Sequence, residues 1–157
     1  MADDPELWAR LIGWLQQQLA GCAGRTLILG LVGFPGCGKS TLAARLCESL
    51  AVAPSLVVSL DDFYLTAAER RHRGLRWRGP PGTHDLQRLD RFLTELTAGA
   101  AELEVPQFDR SREQRLAARR QRGPLALCII EGWFVGARAP GYERLAEVQE
   151  EMLWACE

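Results

Sequence analysis

Gly33-Phe34-Pro35-Gly36-Cys37-Gly38-Lys39-Ser40 spells a complete G-x-x-x-x-G-K-[ST] loop, and Lys39 inside it is the only lysine of the chain. The other eighteen basic residues are arginines. A loop of this spacing binds the phosphates of a nucleoside triphosphate. Glycine at 33, 36 and 38 reaches backbone angles closed to other residues and lets successive N–H groups approach an anion with no Cβ in the way. Lys39 then reaches the outer phosphates. Ser40 sets its hydroxyl on Mg2+, a hard cation that needs oxygen ligands and takes some of them from the nucleotide. Cys37, as a small residue at a variable position, and Thr41 complete the nucleotide-binding set, so a nucleoside triphosphate and Mg2+ are the expected ligands.

Two acidic positions follow hydrophobic runs. Asp61-Asp62 comes after Ser55 to Leu60, and Glu131 closes Leu125-Ala126-Leu127-Cys128-Ile129-Ile130. Open α/β sheets bind their ligands at such strand ends. A carboxylate at 61 or 62 can take the proton of an acceptor hydroxyl or align it for in-line attack on the γ-phosphate. An acid at 131, with Ser40, suits the metal or its water. In this order, after a phosphate loop, these residues predict phosphoryl transfer, with Lys39, Glu131 and one of the two aspartates as the catalytic group.

The elements that must position them alternate. Glu6 to Ala20 carries Leu7, Leu11, Leu15 and Leu19 four apart and predicts an amphipathic helix. Thr26 to Val32 is an apolar run of the kind buried in a parallel sheet, and Lys39 to Leu50 predicts a helix whose positive N-terminus faces the same phosphates. Ser55 to Leu60 predicts a second strand, and a loop rich in Arg, Gly and Pro runs from there to Thr83. Leu86, Leu89, Leu93 and Leu96 predict a helix capped by Asp85 or Thr83. Glu102 to Phe108 predicts a short strand, Ser111 to Gln121 a basic helix, Leu125 to Ile130 a third buried strand, and Ala139 to Glu157 a helix. The whole predicts an α/β fold: one P-loop NTPase-type domain over residues 1–157, a parallel sheet flanked by helices and shortened at the C-terminus.

Composition narrows the class. The 157 residues carry a formal net charge of −1, yet thirteen arginines face seven acids between Arg70 and Arg122. A cationic middle suits an anionic small-molecule substrate; nucleic-acid binding also calls for a stacking platform or a recognised motif, and neither is present. No run is long enough to span a membrane and nothing resembles a signal peptide, so the expected location is the cytoplasm and no membrane partner is expected. The five cysteines form no C-x-x-C pair, which points away from zinc and from a disulfide framework. A sheet edge left open by a short C-terminus would permit an oligomer.

The segments Ser59-Leu60-Asp61-Asp62-Phe63-Tyr64-Leu65-Thr66, Arg78-Gly79-Pro80-Pro81-Gly82-Thr83-His84-Asp85, Val105-Pro106-Gln107-Phe108-Asp109-Arg110-Ser111 and Glu131-Gly132-Trp133-Phe134 resemble the D-glycerate 3-kinase family. That family stands within the P-loop group of uridine kinase, phosphoribulokinase and bacterial pantothenate kinase. The resemblance runs from about Arg25 to Arg138. It implies an ATP-dependent kinase acting on a hydroxyl of a glycerate-like acid, with Asp61 as base and Asp62, Tyr64, His84 and Asp85 at the acceptor. It also implies that Arg76 or Arg78 grips the acceptor carboxylate. The chain departs from the family after Arg138, where a lid arginine and an adenine-binding segment are not recognisable, and arginines of the expected 112–122 helix are candidates to replace that lid. A degenerate relative serving as a nucleotide-binding module, and a nucleoside or pantothenate kinase, are the alternative readings.

Overall fold

The computed structural model describes residues 4–50, 54–80 and 82–137. Helix α1, Pro5–Gly21, leads into strand β1, Leu27–Val32, then helix α2, Lys39–Leu50, and strand β2, Ser55–Ser59. A 3-10 turn, Leu60–Phe63, and helices α3, Ala67–His72, and α4, Leu86–Thr97, follow. Strands β3 Glu102–Val105, β4 Phe108–Asp109, β5 Gln114–Arg115 and β6 Arg119–Arg122 precede β7, Leu127–Gly132. The helix expected over Ala139 to Glu157 lies outside the described residues.

Strands β1, β7 and β2 form a three-stranded parallel sheet in that order. All six residues of β7 are buried, as a central strand covered on both faces requires. Its side chains alternate between two layers. Leu127 and Ile129 pack with Leu15 of α1 and with Ala43, Leu46 and Leu50 of α2. Cys128 and Ile130 pack on the other side with Leu56 and Val58 of β2, Phe92 and Leu96 of α4, and Leu103 and Val105 of β3. Register then fixes the site: Leu31 pairs with Glu131, and Ser59 pairs with the same Glu131 from the other side. The phosphate loop, the acid pair and Glu131 thus leave the sheet at one level.

Two stretches fold differently from their sequence reading. The segment read as a basic helix is instead the return arm of a hairpin, with β6 antiparallel to β3 and β5 antiparallel to β4. Glu102 and Glu104 lie opposite Arg122 and Arg120, and Arg120 also reaches Glu102 at 3.2 Å, so opposite charges face one another across the strands. Asp109 Oδ1 accepts from the backbone N–H groups of Ser111 and Arg112, and Glu113 has φ 53°, which together turn the chain where a helix would begin. No apolar stripe in 111–121 could have repaid a helix by burial. The second stretch is α3, inside what reads as a loop. Thr66 and Glu69 form a reciprocal capping box at its start, and this Thr-x-x-Glu signal is visible in the sequence. No helix among the described residues is long and apolar enough to cross a membrane.

The buried sheet centre and the exposed hairpin predict opposite sensitivities. Ile129→Ala should cost about 2–5 kcal/mol, read as a lower urea midpoint. Arg119→Ala, on the exposed arm, should shift the same curve by no more than about 0.5 kcal/mol.

Candidate phosphoryl-transfer site

Three strand ends build the site. After β1 the chain turns through Gly36 at φ 78° and Gly38 at φ 86°, angles that L side chains rarely adopt, before α2 starts at Lys39. A Cβ on Gly33 would lie 2.8 Å from Cys37 Sγ, so a larger residue there would push that side chain aside. The first N–H groups of α2 have no partner within the helix and face the same concavity. Lys39 Nζ donates to the Phe34 carbonyl at 2.8 Å, so the ammonium folds across the loop it serves. Thr41 follows in the first turn of α2. This cradle is suited to a chain of phosphates.

Ser40 Oγ donates to Glu131 Oε1 at 3.3 Å, joining the start of α2 to the end of β7 across ninety-one positions. Both are oxygen donors suited to a hard cation. Among the described residues no group of three His, Cys, Asp or Glu side chains forms a metal cage. This arrangement fits Mg2+, which binds through one or two protein oxygens, water and nucleotide phosphates. Ser40 and Glu131 are the residues that would hold it.

The two adjacent aspartates, equivalent by sequence, have different surroundings. Asp62 Oδ1 accepts from the Phe108 N–H at 3.2 Å and so ties β4 to the 3-10 turn. Burial pushes its pKa above the ordinary carboxylate value, and the charges of Asp61 and Glu131 push the same way, although the Phe108 bond and Arg110 oppose them. Asp61 is half-buried and makes an ion pair with Arg110 at 3.4 Å. Asp61 thus has an arginine partner, while Asp62 is tied to the hairpin.

Residues 83–85 run antiparallel to 63–65, with Leu65 N–H donating to Thr83 and Asp85 N–H donating to Phe63. This pairing lays the His84 ring on Tyr64 at 4.3 Å between centroids. Phe134 meets His84 edge-on, and Trp133 and Phe34 extend the aromatic row back to the phosphate loop. Burial raises the Tyr64 pKa, with Asp61 adding to the shift, so the phenol stays protonated. Burial lowers the His84 pKa more than Asp61 raises it. At pH 7 this imidazole is neutral, and it offers a hydrogen bond rather than a positive charge; its buried Nε2 has no partner among the described residues.

Three residues assigned to the acceptor have protein contacts in this structure. Arg76 stacks on Trp77 at 4.7 Å and stands in solvent. Arg78 lies over the Tyr64 ring, and its Nη1 donates to the Arg110 carbonyl at 2.7 Å and approaches Glu113 at 3.4 Å. Asp85 caps α4 through the Arg88 N–H, and its second oxygen pairs with Arg115 at 2.7 Å. Arg78 and Asp85 each have a protein partner for their charge. Two features escaped the sequence reading. One is the contact of Arg110 with Asp61. The other is the nearly fully buried Arg70, which joins the Leu65 carbonyl to Glu113. The arginines of 112–122 do not form a substitute lid helix.

A family model described as "Methylmalonyl Co-A mutase-associated GTPase MeaB" matches residues 10–60, from α1 to the last residue before the acid pair. Among curated proteins, the uncharacterized kinase mug58 of Schizosaccharomyces pombe is 36% identical over 137 residues, covering 72% of this chain and 48% of its own length. A pantothenate kinase of Sorangium cellulosum is 34% identical over 131 residues, with 79% and 41% covered. Among solved structures, D-glycerate 3-kinase from Cryptococcus neoformans superposes with a TM-score of 0.71 at 25% identity, covering 94% of this chain and 59% of that one. The chain thus spans less than half the length of these two curated relatives. Fold and sequence together place it within the P-loop kinase group.

Removing the ammonium tests the cradle. Lys39→Ala should weaken binding of ATP with Mg2+ by about tenfold or more, the size of one charge-assisted contact, when titrated by calorimetry. Unchanged affinity would contradict the assignment.

Proposed function

We propose that this chain carries the catalytic site of an ATP- and Mg2+-dependent kinase that phosphorylates a hydroxyl of a small acid of the glycerate type. The observation that carries the reading is the register of β7. It sets Glu131 beside Ser40 on one side and level with the strand that delivers Asp61 on the other. A cation-holding pair and a further carboxylate, Asp61, then flank the same phosphate loop, which is the layout that transfer of a γ-phosphate to a hydroxyl requires.

Each residue has a stated part. The glycine loop and Lys39 hold the β- and γ-phosphates. Ser40 and Glu131 are the residues that would hold Mg2+, which would supply neutralisation of the charge on the transferred group. Asp61 accepts the proton of the acceptor hydroxyl as its oxygen bonds to the γ-phosphorus; the bond from that phosphorus to the β–γ bridging oxygen breaks, and ADP leaves. Tyr64, held protonated, and neutral His84 form the wall beside Asp61. The glycerate-like acceptor is supported by the resemblance of the 78–85 segment and by the likeness to the Cryptococcus enzyme. Pantothenate is the second acceptor to weigh, because the Sorangium relative bears that name.

A coupled ADP-release assay with glycerate, uridine, pantothenate and ribulose 5-phosphate tests the reading, and turnover with glycerate is the expected result. No turnover with any of them, alongside intact ATP binding, would favour a nucleotide-binding module.

In the same assay Asp61→Asn should lower kcat by roughly 10²- to 10⁴-fold, the usual contribution of a positioned proton acceptor, with ATP affinity nearly unchanged. Asp62→Asn keeps the oxygen that accepts from Phe108 and should change kcat far less. A reversed order of losses would assign the base to Asp62.

A further inference from the structure

Three carboxylates, Asp61, Asp62 and Glu131, converge at the strand ends, and a single guanidinium is set against them from the acceptor side. It belongs to Arg110, in the turn between β4 and β5. Its Nη2 lies 3.4 Å from Asp61 Oδ2 and 3.4 Å from Ser59 Oγ. Its other donors have no partner among the described residues, and the side chain is 53% exposed. Arg78, one of the two arginines that the sequence suggested for this task, has its charge engaged by Glu113 and holds the Arg110 carbonyl at 2.7 Å. Asp109 pins the same turn by accepting from Ser111 and Arg112. The turn is thus fixed from two sides, and the cation it carries is left half free.

From this we infer that Arg110 is the specificity residue of the site: it binds the acceptor's carboxylate while touching the base. The inference rests on the kinase reading above and sharpens its substrate. Because one guanidinium meets both Asp61 and the incoming anion, the carboxylate and the reacting hydroxyl must lie close together in the acceptor. In a three-carbon hydroxy acid they are separated by roughly 3–4 Å, about one Cα–Cα step of a peptide chain. In a long acid such as pantothenate the carboxylate stands many bonds from the hydroxyl and cannot reach Arg110 while the hydroxyl meets Asp61. The class that fits is a short 2- or 3-hydroxy acid. Arg78 acts through Arg110 and is a positioning residue.

The test uses the full chain saturated with Mg2+ and a non-hydrolysable ATP analogue, titrated by calorimetry with glycerate and with glycerol, which differ only in the carboxylate. The wild type should prefer glycerate. Arg110→Ala should lower glycerate affinity by about 10- to 100-fold, the worth of a charge-assisted contact, and leave glycerol binding unchanged; Arg110→Lys should fall between. Arg112→Ala, whose side chain is 78% exposed, should match the wild type. Under turnover, Arg110→Ala should raise KM for glycerate, and Arg110→Lys should restore part of that loss. A mutant that keeps the glycerate preference, or a wild type that shows none, overturns the role of Arg110. Failure of the wild type to bind the ATP analogue would instead overturn the kinase reading, and the analogue's affinity in Arg110→Ala shows that the fold survives.

Discussion

Everything in this site depends on the register of β7 between β1 and β2. Slipping a strand by one residue turns every side chain to the opposite face, so the alternation of Leu127 and Ile129 against Cys128 and Ile130 holds the register by burial on both sides. Glu131 is the first polar side chain beyond that apolar ladder, and it is almost fully buried. A buried carboxylate is tolerated where a hydrogen bond or a cation meets it, and Ser40 supplies the hydrogen bond. Gly132 shares the constraint, since a Cβ there would lie 2.7 Å from Leu60 Cβ. The close approach of β7 to the 3-10 turn brings the acid pair near Glu131.

Around this apolar frame the acceptor side is built from charge. Glu113 takes both Arg70 and Arg78, and Arg115 takes both Glu69 and Asp85. Exposed pairs of this kind contribute little singly, but Arg70 is buried, and removing its partner would leave an uncompensated charge, a loss of about 3–5 kcal/mol. The shared pairs join α3, the start of α4 and the hairpin into one body, so the turn bearing Arg110 is held against the end of β2. Part of the arginine excess of the middle section is therefore scaffold.

The sequence disclosed what is local. The phosphate loop, the helix after it and the buried strands are set by neighbouring residues, and α2 and α4 begin where their patterns place them. Asp85 was legible as a cap but not as a partner of Arg115, because thirty positions separate the two. The hairpin was misread for the same reason. Its stability comes from pairing with Glu102 and Glu104, whereas its own arginines and alanines suit a helix. The unequal surroundings of Asp61 and Asp62 depend on Phe108 and Arg110, about fifty residues away. Thr66 and Glu69 were the exception: their capping-box spacing is local, and a reading alert to it would have found α3.

The central claim is that Ser40 and Glu131 act together in holding the cation beside the phosphate loop. A double-mutant cycle on the affinity for ATP with Mg2+, using Ser40→Ala, Glu131→Gln and the pair, tests it most directly. The account predicts that each single change weakens binding and that the two losses are not additive, with a coupling of more than about 0.5 kcal/mol. Losses that simply add, or a Glu131→Gln protein that binds as the wild type does, would contradict it.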